Sequence, residues 1–144
     1  METRIQIENV EPKAYEGMFA LENYLKESGL SETHKELIKL RASQINGCTF
    51  CIDMHAKQAL ENGEEQRRLF LLSSWRDIAL FSEEEKIILQ MTEEITMIHS
   101  KGLIDKTYQG AIEVFGSKYF SHIVMAIATI NAWNRIAIST RKPI

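Results

Sequence analysis

The two cysteines of this 144-residue chain lie three positions apart, and a histidine follows the second by four positions. Cys48, Cys51 and His55 all fall in the stretch NGCTFCIDMH. On one α-helix, where each residue advances by about 100°, these side chains share a stripe about 60° wide. Free backbone N–H groups and the helix dipole favour a thiolate at a helix start. The pattern therefore predicts an attacking thiol, a resolving thiol and a base, which suffice for a dithiol–disulfide cycle, with or without a sulfenic acid.

Two other interpretations of this pattern stay open. Both cysteines can be small core residues beside an incidental histidine, because free cysteine packs well in protein interiors. A structural zinc site needs four ligands, and no second Cys-X-X-Cys or histidine pair supplies the fourth. The histidine on the same stripe as the cysteines favours redox chemistry over both alternatives.

The residues alone also leave the attacking cysteine open. In thioredoxin-like pairs the first cysteine, here Cys48, is the more exposed and the more acidic of the two. His55 follows Cys51 by one helical turn, which instead favours Cys51 as the thiol that a base activates.

Composition excludes several classes of function. The net charge is −3 and the charges are interspersed, so no basic face indicates binding to nucleic acid. No apolar run approaches the roughly 20 residues of a membrane span, and the N-terminal residues do not resemble a signal peptide. We therefore expect a cytoplasmic protein without a membrane partner. In that compartment a close cysteine pair is more often catalytic, redox-sensing or metal-binding than a structural disulfide.

The segments that must position these residues are helical. Only two prolines occur, one near each end, and glycines separate the periodic apolar segments. The predicted helices run from Pro12 to Glu27, from a Ser31 cap to Asn46, from near Cys48 to before Asn62, from Glu64 to about Ser73, from a Ser82 capping box to Ile98, from an Asp105 cap to Gly116, and from a Ser117 cap to about Ser139. The sequence thus predicts an all-α bundle of about seven helices in a single domain covering residues 1–144.

The last predicted helix is apolar around most of its circumference, which is typical of a central helix or a subunit interface. Asn131, Trp133, Asn134 and Arg135 interrupt its apolar surface. We expect them to make interhelical hydrogen bonds and an arginine–carboxylate pair. The alternative is that some of them line a redox pocket or an oligomer contact.

The segment ELIKLRASQINGCTFCIDMHAKQA resembles the core motif of the alkylhydroperoxidase D-like proteins, within the carboxymuconolactone decarboxylase superfamily. The redox branch of that family carries Glu-X11-Cys-X2-Cys-X3-His, and Glu36, Cys48, Cys51 and His55 fill its four positions. Two later stretches, LFSEEEKIILQMTEEIT and IVMAIATINAWNRIAI, are also similar to this family. The resemblance covers roughly residues 15 to 140.

This resemblance implies an all-helical subunit that forms homo-oligomers, commonly trimers or hexamers. It implies reduction of a hydroperoxide substrate, in which Cys51 attacks and becomes a sulfenic acid and Cys48 condenses with it to a disulfide. An external dithiol then restores both thiols, and in the type member that dithiol is a lipoyl group on a partner protein. Glu36 and His55 would form the proton relay, and no metal or bound organic cofactor is required.

Other features set limits on what the resemblance implies. The type member has a histidine between its two cysteines, whereas this chain has Thr49 and Phe50 there, so its proton relay would be simpler. We expect Phe50 to pack in the pocket or at a subunit contact. Spacing alone cannot bring Glu36 to His55, because Gly47 separates their helices. The alternatives are a carboxymuconolactone decarboxylase-type enzyme, which does not depend on a Cys-X-X-Cys pair, and a non-catalytic thiol redox sensor.

Overall fold

The computed structural model describes Glu2 and residues 4–144, and this part of the chain contains helices and no strand. The α-helices are α1 (Ile7–Val10), α2 (Pro12–Glu27), α3 (Glu32–Asn46), α4 (Thr49–Glu61), α5 (Gln66–Leu71), α6 (Glu83–Thr96) and α7 (Asp105–Thr140), and a 3₁₀ helix (Leu72–Asp77) follows α5. The predicted all-α bundle of about seven helices is therefore confirmed. None of the helices described is both long enough and apolar enough to cross a bilayer.

Local capping signals fix the helix ends on either side of the cysteine pair. The Ser31 side chain accepts a hydrogen bond from the backbone N–H of His34 and so caps α3. Gly47, with φ of 69°, ends the same helix in the left-handed conformation that glycine adopts readily. Cys48 follows as the N-cap of α4. The turn at Gly47 therefore places both cysteines at the start of a helix, as predicted.

Three predicted boundaries differ from the structure. The helix expected from Glu64 to about Ser73 is a shorter α5 followed by the 3₁₀ helix. The segment expected to continue to Ile98 ends at Thr96. Asp105, expected to cap its helix, is the first helical residue, because Ile104 has the extended backbone of the N-cap. The carboxylate of Asp105 still lies in the first turn, where the helix dipole favours it.

The last two predicted helices form one element that is interrupted. Gly116 has φ of 71° and ψ of 167°, which are not helical values, and the chain continues in α7 on both sides of it. The helix stop predicted at Gly116 is thus confirmed as a break in the helical backbone, which divides α7 into two parts that meet at a kink. After the kink, the apolar part of α7 is buried through Ile123, Ile127 and Ile130.

Helix α3 is the centre of the fold, because it packs against α4, α6 and α7. Ile38 and Ala42 face a core shared with α6 and α7, whereas Leu37 and Leu40 face a second core that includes Ala59 of α4. Burial on both sides fixes the position of α3. Its C-terminal end is where the cysteine pair begins.

Buried amides fasten this end of α3 to α7. Asn46 donates through Nδ2 to the side-chain oxygens of Asn131 at 3.0 Å and Asn134 at 2.9 Å, and Asn134 donates to Ser43 Oγ at 3.0 Å. The predicted interhelical hydrogen bonds are confirmed for the two asparagines of α7. The predicted arginine–carboxylate pair is wrong, since Arg135 donates to the backbone and side-chain oxygens of Asn131. An exposed arginine one turn after an asparagine reaches that local acceptor first.

Candidate active site

Cys48 and Cys51 form a disulfide at the start of α4. Their exposed fractions are 1% and 2%, so both sulfur atoms are buried. They pack with Ala137 of α7, and Phe50 lies against this small cluster. In the part of the chain that the structure describes, no three His, Cys, Asp or Glu side chains are arranged to hold a metal ion. The pair is therefore seen as an oxidised dithiol enclosed between α4 and α7.

Cys51 borders a cavity of about 300 Å³, which we call the redox cavity. Most of its wall is aromatic or aliphatic, formed by Tyr15, Phe19, Phe50, Met54, Trp133 and Ile136. Cys48 is not among the residues that line it. Cys51 is thus the member of the pair that a molecule in the cavity can reach. Phe50 packs in the pocket, one of the two places expected for it.

His55 lines the same cavity one helical turn after Cys51, with an exposed fraction of 6%. Its Nδ1 lies 3.1 Å from Oε1 of Gln58. An amide oxygen can only accept, so Nδ1 carries the proton and Nε2 keeps its lone pair. Burial, together with the nearby Lys39 ammonium, lowers the pKa of His55 to about 4. The imidazole is therefore neutral at pH 7 and can accept a proton.

Glu36 lines a second cavity of about 560 Å³, which we call the polar cavity. His55 lines that cavity too, so the structure brings the predicted relay residues to one space. The carboxylate of Glu36 accepts a hydrogen bond from Asn62 Nδ2, whereas His55 is bonded to Gln58. Burial raises the pKa of Glu36, although the hydrogen bond from Asn62 opposes that shift. Glu36 and His55 thus line the same polar cavity but have different direct hydrogen-bond partners.

Two charged residues that the sequence did not single out lie where the cavities meet. Glu22 of α2 and Lys39 of α3 line both the redox cavity and the polar cavity, as does His55. Lys39 Nζ donates to Glu22 Oε2 at 2.9 Å, and Trp133 Nε1 donates to Glu22 Oε1 at 3.0 Å. No local sequence pattern links Glu22, Lys39 and Trp133, because they lie on three separate helices. The sequence-level alternative that part of the polar interruption lines the redox pocket is confirmed for Trp133.

Lys142, near the C-terminal end of the chain, forms part of the wall of the redox cavity. Lys142, which follows α7, forms an ion pair with Glu8 of α1, and its Nζ lies 5.3 Å from the centre of the Phe50 ring. Tyr15 donates a hydrogen bond of 2.9 Å to Glu8. The hydrogen bond from Lys142 is the main reason that the pKa of Glu8 falls to about 2. A charged contact between α1 and the segment after α7 therefore borders the redox cavity through Lys142.

Two curated proteins are similar in sequence to this chain. A curated protein of Bacillus subtilis (strain 168), the uncharacterized protein YdfG, is 39% identical over 139 residues, which cover 96% of this chain and 95% of that protein. The uncharacterized protein YnjA of Escherichia coli (strain K12) is 31% identical over 68 residues, which cover 47% of this chain and 37% of that protein. The similarity to the Bacillus protein thus extends over almost the whole chain.

Two solved structures match the fold. A protein of unknown function from Agrobacterium tumefaciens, proposed to be the antioxidant defence protein AhpD, has a TM-score of 0.95 and 38% identity over 99% of each chain. An uncharacterized peroxidase-related protein from Silicibacter sp. TM1040 has a TM-score of 0.77 over 88% of this chain and 67% of that one. At 20% identity, the second match shows the fold alone.

The family model described as the carboxymuconolactone decarboxylase family matches residues 12–94, which include α2, α3, α4 and most of α6. The matched segment contains all four residues of the candidate site motif, Glu36, Cys48, Cys51 and His55. Together with the identity to the Bacillus protein along almost its full length, this match shows that the chain belongs to the carboxymuconolactone decarboxylase family.

Proposed function

We propose that this protein is a thiol-dependent, peroxidase-type oxidoreductase that reduces hydroperoxides with Cys51 and Cys48. The observation that carries the proposal is the position of Cys51, which is bonded to Cys48 and borders a cavity that it shares with His55. The similarity to the Agrobacterium protein proposed for antioxidant defence supports the same class of activity.

The first step is attack on the peroxide. In the reduced protein, the neutral His55 takes the proton of the Cys51 thiol, and the N–H groups at the start of α4 stabilise the thiolate. The thiolate sulfur attacks one peroxide oxygen, so an S–O bond forms while the O–O bond breaks. The leaving alkoxide takes the proton from the imidazolium and departs as an alcohol. Cys51 is then a sulfenic acid, oxidised by two electrons.

The second step forms the disulfide. The thiolate of Cys48 attacks the sulfenic sulfur of Cys51, the S–S bond forms, and hydroxide leaves and is protonated to water. Cys48 needs no access to the cavity for this step, because its target is the neighbouring sulfur. The buried position of Cys48 behind Cys51 suits the resolving role.

The third step restores the thiols. One thiolate of an external dithiol, of the lipoyl type, attacks Cys51 from the cavity and releases Cys48. Its second thiolate then displaces Cys51, so the reductant leaves as a disulfide after giving two electrons. Glu36 would exchange protons with His55 through the polar cavity that both line. The cycle requires no bound metal or organic cofactor, and we expect the subunits to work as homo-oligomers, trimers or hexamers.

The test is a turnover assay on the reduced protein. Hydrogen peroxide or cumene hydroperoxide is added with and without dihydrolipoamide, and free thiols and remaining peroxide are measured. We expect loss of two thiols per chain, and continued peroxide loss when the dithiol is present. An unchanged thiol count would overturn the proposal. Sulfenic acid trapped in Cys48→Ser but not in Cys51→Ser would identify Cys51 as the attacking residue, and the reverse would assign the attack to Cys48.

The burial of both sulfur atoms favours a second candidate function, that of a non-catalytic thiol redox sensor. Exposed fractions of 1% and 2% restrict the approach of a bulky reductant, so a disulfide formed with a small peroxide would be reduced slowly. A sensor would form its disulfide stoichiometrically and then stop. The same assay separates the two, because only the peroxidase continues to consume peroxide in the presence of dihydrolipoamide.

A further inference from the structure

The ion pair between Glu22 and Lys39 is held rigidly at the junction of the two cavities. Both carboxylate oxygens of Glu22 are used, one by Lys39 Nζ at 2.9 Å and the other by Trp133 Nε1 at 3.0 Å. The side chain of Lys39 is only 12% exposed, so its ammonium group has little freedom to move into solvent. The pair therefore joins α2, α3 and α7, and its carboxylate and its ammonium both border the two cavities, so that Lys39 brings a positive charge there in a fixed position.

That positive charge acts on His55. Lys39, His55 and Gln58 line both cavities, so the ammonium and the imidazole border the same open space. The side-chain oxygen of Gln58 accepts a hydrogen bond from the Nδ1–H group of His55. A second proton would therefore bind at Nε2. A nearby ammonium opposes the formation of an imidazolium, and the opposition is stronger where water is scarce.

We propose that Lys39, held in place by Glu22, is a positioning residue of the redox site that keeps the buried imidazole of His55 in its neutral, proton-accepting form. This role deepens the proposed function, and its importance for activity rests on that function. The electrostatic effect itself does not, because the protonation of His55 can be measured whether or not the protein reduces peroxides.

Four of the other ionisable groups around His55 have a charged partner of their own or stay neutral. Those lining the two cavities, besides Cys51 and the Glu22–Lys39 pair, are Tyr15, Lys26, Glu32, Lys35, Glu36, Glu61 and Lys142. Lys35 is bonded to Glu32 at 2.7 Å, and Lys142 is paired with Glu8. Burial raises the pKa of Tyr15 to about 12, so its phenol is uncharged. Burial lowers the pKa of His55 first, the charge of Lys39 lowers it further, and Gln58 and Glu22 oppose the shift.

The test is a set of four variants in which the pKa of His55 is followed by NMR titration of its imidazole. Lys39→Met removes the cation at similar length, so we expect the pKa of His55 to rise from about 4 toward its ordinary value of 6.5. Lys39→Arg keeps the charge and should return the pKa to about 4. Glu22→Gln removes the opposing carboxylate and should not raise the pKa, and the double variant should lie between the two single variants.

A purely structural role for the pair predicts a different result. Loosening of the site by either Lys39→Met or Glu22→Gln would admit water around His55 and raise its pKa in both variants. An equal rise in both, or no rise in Lys39→Met, would overturn the proposal. Spectra of His55→Gln identify the His55 signal among those of the four histidines.

The pH dependence of the thiol reaction gives a second readout. A base must be unprotonated to act, so the acid limb of peroxide-driven thiol oxidation should move to higher pH in Lys39→Met and return in Lys39→Arg. If the unaltered protein oxidises no thiols with peroxide, the proposed function fails, and the NMR titration still decides the role of Lys39. If thiol oxidation proceeds but Lys39→Met leaves its acid limb unmoved, the proposed function stands and the role of Lys39 fails.

Discussion

Two glutamates of this protein are held in closely similar ways but in different surroundings. Glu93 of α6 accepts hydrogen bonds from Trp75 Nε1 at 2.8 Å and Arg41 Nε at 3.0 Å, and it pairs with Arg76 at 2.6 Å. Glu22 accepts from a tryptophan indole in the same manner, with one lysine in place of the two arginines. We call the first set the Glu93 cluster, and the second set, Glu22 with Lys39 and Trp133, the Glu22 cluster.

The space around each carboxylate separates the two clusters. Glu93 is 6% exposed and lies against the apolar core formed by the 3₁₀ helix and α6. Burial alone would raise its pKa, but the hydrogen bonds from Trp75, Arg76 and Arg41 hold the pKa of Glu93 below its usual range. Glu22 instead borders two cavities and a neutral histidine. We therefore expect a satisfied carboxylate to stabilise the fold where packing closes around it, and to hold a charged partner beside a base where open space remains.

The largest effect on stability is expected from Glu93→Gln. The change keeps the shape and an acceptor for Trp75, but it leaves Arg41 without a countercharge in a largely closed site, whereas the half-exposed Arg76 can be rehydrated. Breaking a buried ion pair on one side costs about 3 kcal/mol. We expect a loss of that size in the free energy of unfolding, measured by urea denaturation at pH 7.

The same variant also tests whether the Glu93 cluster is only structural. Thiol oxidation by peroxide, measured per folded molecule, should equal that of the unaltered protein. A folded Glu93→Gln protein with altered reactivity would contradict the separation between the clusters.

His55, beside the Glu22 cluster, should contribute more to the loss of stability in acid than His34, whose pKa burial also lowers. The pKa of His55 is about 4 in the folded protein and about 6.5 when unfolded, so the unfolded chain binds more protons between these values. Stability is then fully present above pH 6.5 and is lost as the pH falls toward 4. The expected loss from this group between pH 7 and pH 5 is about 2 kcal/mol.

The variant His55→Gln should remove that part of the pH dependence. Unfolding curves at pH 7 and pH 5 measure it, with Glu93→Gln as the matched control, because a carboxyl whose pKa is lowered titrates below this range. An equal loss of stability on acidification in His55→Gln and in the unaltered protein would show that His55 is not the group responsible.

Removing the indole hydrogen bond from each cluster compares the two carboxylates directly, with a smaller expected loss of stability. Trp75→Phe removes the N–H that Glu93 accepts while most of the aromatic packing is kept, and a hydrogen bond to a buried charged group contributes about 1.5 kcal/mol. Trp133→Phe removes the matching donor to Glu22 and should cost about 0.5 kcal/mol, because the cavities let water replace the indole. Denaturation of both variants under one condition checks the difference. Equal costs would mean that the two carboxylates are equally desolvated.

The sequence was sufficient for the part of the site that lies on one helix. Cys48, Cys51 and His55 are separated by fixed angles on α4, so their spacing alone predicts that they meet. Glu22 and Lys39 are 17 residues apart, and Glu22 and Trp133 are 111 apart, on helices that meet only in the folded protein. No periodicity in a single sequence records such a meeting. The family resemblance identified Glu36 as a candidate site residue. It did not identify Asn62, the residue at the end of α4 that donates a hydrogen bond to Glu36.

The fold shows the same division between local and distant causes. Serine caps and the left-handed glycine at Gly47 act within a few residues, so the helices on both sides of the cysteine pair were predictable. The bounds of the helix expected from Glu64 to about Ser73 were not predictable from such local signals. Trp75 is fixed there by Glu93 of α6, 18 residues later, and the chain tightens into a 3₁₀ helix around this contact. The 3₁₀ helix thus contains a residue whose hydrogen-bond acceptor, Glu93, lies outside the local sequence.

The smallest effect on stability is expected from Glu22→Gln. The side chain of Glu22 is 29% exposed against 8% for Glu93, so water from the two cavities reaches the carboxylate, and partly exposed ion pairs contribute about 0.5 kcal/mol. The free energy of unfolding at pH 7 should therefore fall by only that amount, against about 3 kcal/mol for Glu93→Gln. The same substitution in two similarly bonded glutamates then isolates the effect of the surroundings. A loss in Glu22→Gln as large as in Glu93→Gln would make Glu22 a structural carboxylate, and open space beside it would not be what distinguishes the two clusters.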